Sequence, residues 1–197
     1  DVYKRQLPAQ PRTEDAGGGV FPKIKPPFHA VPCGGRHAVR PGTDNDITTT
    51  KKMAVRYFTD DCTYRLPQKR LTARWLHEVA AGEGYALGDV TYIFCSAQRL
   101  LEMNRQYLGH DYFTDVITFD YSDRKGARIV SGDIFIDVET VADNARQYGA
   151  TTLQEMRRVV VHGVLHLCGQ GDKTPRTNAQ MHRKEDKYLK FWEDPRQ

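Results

Sequence analysis

The sequence of 197 residues has no apolar run that approaches the roughly 18 residues needed for a membrane-spanning helix. Hydrophobic residues make up 39% of the chain and charged residues 27%, a balance typical of a globular protein with a polar surface. A chain of this length can bury one substantial core but not two large ones. We therefore expect one compact domain and no membrane partner.

Paired cysteines are also lacking. The four cysteines form no CxxC motif, and the N-terminus has no uninterrupted apolar segment of the signal-peptide kind. These absences argue against a disulfide framework and favour a reducing, cytoplasmic location.

Most of the chain has no excess of charge of either sign. The net charge of +4 lies within residues 1–52, which hold nine basic and five acidic residues, whereas 20 of each follow from residue 53 onward. Because the body of the protein is neutral, an argument for a nucleic-acid partner must depend on local patches and on site chemistry.

Residues 1–52 lack periodic apolar positions and are rich in glycine and proline. Such a segment cannot bury enough surface to offset the entropy lost on ordering. Met53 is the first methionine, and the patterned sequence starts directly after it. We interpret residues 1–52 as a disordered or nonnative N-terminal extension, either translated upstream sequence or a natural tail, and residues 53–197 as the domain.

The pattern after Met53 predicts an α+β fold, with a small mixed β-sheet covered by helices. Helices are expected to end at Gly82, Gly109 and Gly149, and a central, strongly apolar helix spans residues 156–167. The strands are predicted at residues 54–58, 90–95, 116–121 and 134–138, the last two as a hairpin.

Two capping boxes are predicted for the last two helices, one from Thr152 with Glu155 and one from Thr177 with Gln180. The charged run at residues 183–187 is interpreted as a solvated helix face with charge pairs at i,i+3 and i,i+4 spacing.

The central helix carries an HxxxH motif within residues 162–172, which read HGVLHLCGQGD. Histidines at this spacing project from one face of a helix, so the imidazoles of His162 and His166 can reach a single ion. Gly169 ends the helix, and Asp172 can return as a third ligand. Three protein ligands and one bound water make up a catalytic zinc site, so we predict one Zn²⁺ with a metal-bound water as the reactive group.

The motif also has other interpretations. A histidine pair can occur by chance in a core, but the valines on both sides would make an unsatisfied imidazole costly to bury. Cys168 and His182 are alternative third ligands. Cys168 lies two residues after His166 and would point away from the pair on a continuing helix, and His182 lies on a separate predicted helix, so Asp172 is favoured.

The same spacing occurs in metallopeptidases with the HExxHxxGxxH pattern, where a glutamate general base follows the first histidine. Here that position is Gly163. Without the carboxylate, peptide hydrolysis lacks its proton acceptor. Phosphodiester cleavage can instead use water activated by the metal, or the 2′-hydroxyl of RNA. The missing glutamate therefore favours RNA hydrolysis over the metallopeptidase alternative.

Three blocks of sequence resemble a known family. Residues 162–169, HGVLHLCG, resemble the HGxLHLxG signature of the YbeY family of zinc-dependent bacterial endoribonucleases. Asn104 and residues 107–119, YLGHDYFTDVITF, resemble that family's block ending in TDVLSF, and GDI at residues 132–134 resembles its GDI strand. The blocks occur in the family's order and cover most of residues 53–197.

The resemblance implies a zinc-dependent endoribonuclease specific for single strands. Its role would lie in ribosomal RNA processing, including maturation of the 3′ end of 16S ribosomal RNA, and in ribosome quality control. The implied partners are ribosomal RNA precursors, the small ribosomal subunit and its assembly factors. A noncatalytic, zinc-binding ribosome-assembly factor is the main alternative.

Two positions depart from the family pattern. Asp172 replaces the usual third histidine, although a carboxylate is also a legitimate zinc ligand. Leu108 replaces an arginine, so the role of that arginine cannot be transferred to this chain. His110 and three arginines are candidates to supply the missing charge, and the arginines are also candidate RNA-binding residues: Arg105, Arg157 and Arg158.

The catalytic side chain is left open, with Asp115 and His110 as candidates. Asp115 follows Thr114 at the start of a predicted strand, so it either binds backbone amides in the turn or acts at the metal. The same two interpretations apply to Asp133.

Overall fold

The computed structural model describes residues 54–193, so the predicted extension at residues 1–52 lies outside the described residues. Within that range, no helix combines the length and the apolar character that crossing a bilayer requires.

The described residues form a mixed four-stranded sheet, as predicted. Strand β1 (Val55–Thr59) pairs in parallel with β2 (Ala86–Cys95), and β2 pairs in parallel with β4 (Ile129–Asp137). Strand β3 (Val116–Asp120) pairs antiparallel with β4, which confirms the predicted hairpin. The sheet order is β1-β2-β4-β3.

Strands β2 and β4 begin earlier than predicted. The pairing of β2 with β4 shifts between Leu87 and Val90, and this irregularity interrupts the alternation of apolar and polar residues from which a strand is predicted. Gly88 lies in the irregular segment, where an added β-carbon would clash with the Ser131 hydroxyl.

Within residues 54–193, five α-helices cover the sheet, and the predicted helix ends at Gly82, Gly109 and Gly149 are confirmed. A π-helical turn, Asn104–Leu108, extends the second helix, and a 3₁₀ turn, Lys190–Glu193, follows the last. The helices are α1 (Lys69–Gly82), α2 (Ala97–Met103), α3 (Val138–Tyr148), α4 (Thr152–Leu167) and α5 (Pro175–Leu189).

The predicted capping box of α4 is wrong by one residue. Thr151, and not Thr152, accepts a hydrogen bond from the backbone N–H of Gln154, whose side chain accepts one from the N–H of Thr151. Glu155 is buried and faces Arg158 instead.

The predicted cap of α5 is wrong by about one turn. The capping box is formed by Thr174 with Thr177, and not by Thr177 with Gln180. Pro175 occupies the first helical position, where its fixed φ favours helix initiation and its missing N–H costs nothing.

Helix α4 is the central helix and packs against the sheet along one face. The Tyr92 hydroxyl on β2 donates a hydrogen bond of 2.8 Å to the carbonyl of Val160, and Leu167 lies against Gly132 of β4. On its other side α4 meets α5, where Glu185 contacts His162. The histidine face of α4 is therefore directed away from the sheet and toward α5.

A polar contact links the end of α1 to α5. Glu83 accepts hydrogen bonds from Lys184 Nζ at 2.5 Å and from the Tyr188 hydroxyl at 2.7 Å. Burial alone would raise the pKa of Glu83, but these hydrogen bonds and the charge of Lys184 outweigh it and lower the pKa from 4.5. The contact holds α5 in place, and α5 carries Glu185.

We expect Glu83→Gln to lower the free energy of unfolding at neutral pH by about 1–2 kcal/mol, because the charged acceptor is lost. A depressed folded-state pKa stabilises the protein above pH 4.5, and that stabilisation is lost as the pH falls through the folded-state pKa. Urea unfolding across this acid range should therefore show a shallower pH dependence in the variant. Equal slopes in the two proteins would contradict the assignment.

Candidate metal centre

His162 and His166 converge with Asp172 on one point beside α4. The two Nε2 atoms are 2.9 Å apart, and the imidazole planes are nearly perpendicular, at 88°. One carboxylate oxygen of Asp172 lies 3.7 Å from His162 Nε2 and 3.6 Å from His166 Nε2. The ligand atoms of the three side chains all lie within 4.8 Å of one another, close enough to hold one metal ion.

The backbone after α4 brings Asp172 to the histidines. Gly169 adopts a left-handed conformation with φ of 89°, which ends the helix and reverses the chain. The next residue, Gln170, places its carbonyl 2.8 Å from His166 Nδ1. The same turn therefore supplies a hydrogen-bond acceptor for one histidine and returns a carboxylate to both.

Each imidazole is oriented through its second nitrogen. His162 Nδ1 donates to the Glu185 carboxylate at 2.7 Å, and His166 Nδ1 donates to the carbonyl of Gln170, since neither acceptor can donate. A neutral imidazole with a proton on Nδ1 has its lone pair on Nε2. Two lone pairs at 2.9 Å repel each other unless a cation or a proton lies between them. The two Nε2 atoms and the Asp172 oxygen therefore fit a cation that accepts nitrogen and oxygen ligands.

The prediction that residues 183–187 form a solvated face is wrong for Glu185, whose side chain is 2% exposed. Burial raises its pKa, but hydrogen bonds from His162 and His182 lower the pKa to about 2. Sequence reasoning missed this residue, although a signal was present: Glu185 lies four residues after buried Met181 on the apolar stripe of α5.

The alternative third ligands lie outside the group of three side chains. Cys168 belongs to the hydrophobic core, and burial raises the pKa of its thiol to about 12. His182 Nδ1 donates to Glu185 at 3.1 Å. Asp172 is the candidate whose ligand atom meets those of His162 and His166.

Asp115 and His110 lie in different surroundings. Asp115 directly precedes β3, and its backbone carbonyl accepts a hydrogen bond from the N–H of Asp137. Burial lowers the pKa of His162, but Glu185 and the charges of Asp115 and Asp172 outweigh it and raise the pKa. His110 is exposed, and its ring stacks on Tyr112.

Asp133 belongs to the sheet, where β4 pairs with β2 and β3. Its carboxylate accepts a hydrogen bond of 3.4 Å from the Tyr121 hydroxyl, and burial raises its pKa. These contacts favour a local structural role for Asp133.

The three candidate arginines are engaged in contacts of different kinds. Arg105 is exposed and pairs with Asp111 at 2.6 Å. The guanidinium of Arg157 lies 3.7 Å from the centroid of the Trp192 ring. Arg158 bridges α4 and α5, at 3.2 Å from Glu185 and 2.9 Å from Asp186. Arg157 and Arg158 both line a surface cavity of about 450 Å³ beside α5, and the three converging side chains do not line it.

Sequence comparison relates residues 58–193 to a family model described as Endoribonuclease YbeY. An Endoribonuclease YbeY from Bacteroides thetaiotaomicron is 49% identical over 137 residues, which cover 70% of this chain and 98% of the relative. One from Cytophaga hutchinsonii is 44% identical over 139 residues, covering 71% and 96%. A solution structure of TM1509 from Thermotoga maritima is 28% identical, with a TM-score of 0.47, and the match covers 69% of this chain and 87% of that one. The family match over most of the chain and the identity to the Bacteroides and Cytophaga relatives show that the chain belongs to the YbeY endoribonuclease family.

Proposed function

We propose that this protein is a zinc-dependent endoribonuclease that cleaves single-stranded regions of ribosomal RNA precursors. Its tasks would include maturation of the 3′ end of 16S ribosomal RNA and ribosome quality control, with the small ribosomal subunit and its assembly factors as partners. The observation that carries the proposal is the convergence of His162 Nε2, His166 Nε2 and one Asp172 oxygen in a member of a family named for RNA cleavage.

His162, His166 and Asp172 would hold one Zn²⁺. Nitrogen and carboxylate ligands suit zinc, and a zinc-binding histidine usually donates its other N–H to a carboxylate or a carbonyl, as both histidines do here. When bound, the ion supplies a Lewis acid that lowers the pKa of water and offsets negative charge on a scissile phosphate. Because Asp172 supplies a carboxylate, the three ligands together carry one negative charge, whereas three neutral histidines would carry none.

The protein's own groups orient the site and move the proton. Glu185 and Gln170 hold the two imidazoles in the required tautomer. For proton transfer we propose Asp115 ahead of His110, because Asp115 directly precedes β3, which contacts α4, whereas His110 is exposed and stacked on Tyr112. A carboxylate at this position can accept a proton from water or from a 2′-hydroxyl.

RNA phosphates would be contacted by arginine. Arg105, at 50% side-chain exposure, is the candidate best placed to change partners, whereas Arg158 is held by Glu185 and Asp186. We place the protein in the cytoplasm, where its free cysteines would stay reduced; those in the described part of the chain are Cys62, Cys95 and Cys168.

One observation favours the assembly-factor alternative. Leu108 stands where the family pattern has an arginine, and its side chain packs against a buried cluster that includes Leu100 and Phe119. This position supplies apolar contact and no charge. A protein that binds zinc and the ribosome without cutting RNA would not need a charged side chain at this position.

Cleavage of a single-stranded ribosomal RNA fragment by the zinc-loaded full chain tests the proposal. We expect His166→Ala to abolish cleavage and to lower bound zinc well below one ion per chain, because one of three ligands is removed. Chelation of the metal should have the same effect on the wild type. His77→Ala is the matched control, since His77 is an exposed histidine of α1.

Equal cleavage by wild type and His166→Ala would place the activity elsewhere, including in a contaminant. A wild type that binds zinc and cuts no RNA would favour the assembly factor.

A further inference from the structure

We propose that residues 110–113, here called the aromatic loop, stack on unpaired bases of the RNA beside the metal centre. The inference rests on the proposed RNA substrate and adds a binding surface to it. The loop reads HDYF and follows the π-helical turn Asn104–Leu108.

The aromatic loop exposes large rings to solvent. Tyr112 is 54% exposed and Phe113 is 50% exposed. Among the other large hydrophobic residues of the described chain, Phe58 is equally exposed, at 50%, and Tyr121 is less exposed, at 39%. Adjacent exposed aromatic residues are costly to leave in water, so they commonly mark a binding surface.

The loop is held in one conformation although its rings are exposed. Asn104 is 2% exposed, and its side-chain amide donates a hydrogen bond of 2.8 Å to the carbonyl of Tyr112. Its backbone carbonyl accepts one of 3.1 Å from the N–H of His110. Gly109 makes the turn with φ of 67°. A buried side chain that fixes the backbone lowers the entropy cost of binding by the rings above it.

A stacking surface already exists within the loop. The rings of His110 and Tyr112 are 5.2 Å apart between centroids and 21° from parallel, and the Tyr112 hydroxyl lies 3.2 Å from His110 Nδ1. Flat, exposed rings stack on any nucleobase, because every base offers a π-face. This contact requires bases that are not paired in a duplex.

The loop lies near the proposed reaction centre. Phe113 comes two residues before Asp115, and at about 3.3–3.6 Å per residue their α-carbons are at most about 7 Å apart. Asp115 is anchored to Asp137 through its backbone carbonyl and directly precedes β3, which contacts α4, the helix that carries the metal centre. Bases stacked on the loop would therefore flank a phosphate held at the metal centre.

The proposed RNA substrate selects RNA over a protein partner, and an exposed arginine lies on the same surface. Arg105 lies beside the loop, paired with Asp111 at 2.6 Å, and is half exposed. An arginine next to stacking rings can contact a phosphate while the rings hold the neighbouring bases. Protein docking on these rings is the competing explanation, and the binding experiment separates the two.

The test is fluorescence anisotropy of a short labelled single-stranded RNA with the full chain, in chelator to prevent cleavage. We expect the double variant Tyr112→Ala/Phe113→Ala to bind about tenfold more weakly for each ring lost. Tyr112→Phe and Phe113→Tyr keep the rings and should bind like the wild type. Phe58→Ala removes an equally exposed ring on β1 and should leave binding unchanged. Thermal unfolding of each variant verifies that it is folded.

A second readout reports stacking directly. The indole fluorescence of Tyr112→Trp should be quenched by single-stranded RNA and unaffected by the same RNA in a duplex. Wild-type affinity in the folded double variant, or absence of quenching, would overturn the inference, and the loop would then be assigned to a protein partner.

Cleavage assays with zinc separate this inference from the proposed function. Ring-dependent binding by a wild type that never cuts RNA would support the loop and overturn the nuclease. Normal RNA cleavage by a double variant with wild-type affinity would overturn the proposed stacking role of the aromatic loop and leave the proposed nuclease function intact. A wild type that neither binds nor cuts RNA would overturn both.

Discussion

Replacement of Glu185 by alanine is expected to weaken zinc binding about 10- to 100-fold and to lower the free energy of unfolding by about 3–5 kcal/mol. The zinc effect follows from the 2.7 Å contact of Glu185 with His162 Nδ1, which fixes the tautomer and the orientation of the imidazole. Without that acceptor, the ring can rotate or carry its proton on Nε2. Metal binding must then fix the ring and its tautomer, and the free energy that this costs weakens the affinity.

The stability effect has a separate origin. The carboxylate of Glu185, with a side chain 2% exposed, lies 3.2 Å from Arg158 and 3.1 Å from His182. Removal of one partner from a buried charged network leaves the others poorly compensated, which costs more than the network contributes when it is complete. Loss of the carboxylate therefore loosens the contact between α4 and α5 as well as the metal site.

Two variants separate these effects. Glu185→Gln keeps an oxygen acceptor for His162 Nδ1 and loses the charge, so zinc affinity should fall less than in the alanine variant. Asp186→Ala removes an exposed carboxylate that also contacts Arg158, and zinc affinity should not change. Zinc affinity is measured by competition with a chromophoric chelator, and stability by urea unfolding. Unchanged zinc affinity in folded Glu185→Ala would mean that His162 is not a ligand oriented by α5.

The elements that sequence reasoning predicted are those with strong local signals. The apolar periodicity of α4 and the glycines that end α1 and α3 are local features, and both predictions are confirmed. The pairing of His162 with His166 also follows from helical spacing alone. Local periodicity therefore predicted the helix that carries the candidate site and the side of it on which the histidines lie.

The features that were missed depend on tertiary contacts. Glu185 is separated from His162 by 23 positions, and only the packing of α5 on α4 brings them together. A charged run usually lies on the surface. The charge of residues 183–187 therefore predicted an exposed side chain for Glu185, although its position on the apolar stripe of α5 indicates burial. The capping errors at Thr152 and Thr177 have a different cause. A second threonine lies close by in each case, Thr151 and Thr174, and either threonine of a pair can cap a helix. The direction from which the preceding backbone enters the helix decides which one does.

A second strongly disruptive substitution beside the site is expected at Gly163. We predict that Gly163→Glu, which recreates the HExxH pattern of metallopeptidases, yields no peptidase and lowers the free energy of unfolding by more than about 3 kcal/mol. A β-carbon at this position would lie 2.8 Å from Ile134 Cγ2 and 3.0 Å from Ile134 Cδ1, on the face of α4 that packs on β4. A glutamate there would enter the buried sheet interface and bring an uncompensated charge.

Smaller substitutions test this geometry. Gly163→Ala should destabilise the fold by about 1 kcal/mol, because overpacking by about 1–3 kcal/mol is partly offset by the higher helix propensity of alanine. Ile134→Val removes one of the opposing methyl groups, so the double variant should be more stable than the sum of the two single effects. Gly171→Ala is the control, since nothing lies within 4 Å of its added β-carbon.

The outcome at Gly163 also decides between hydrolase classes. If residue 163 faces the sheet, the missing glutamate is a consequence of packing, and no side chain at this position can serve as a general base at the metal. Urea unfolding and a zinc-dependent assay on an unfolded protein substrate are run on the same Gly163→Glu sample. A variant as stable as the wild type that gains peptide hydrolysis would show that residue 163 faces the metal. The peptidase chemistry would then be one substitution away, and the argument from Gly163 for RNA as the substrate would fail.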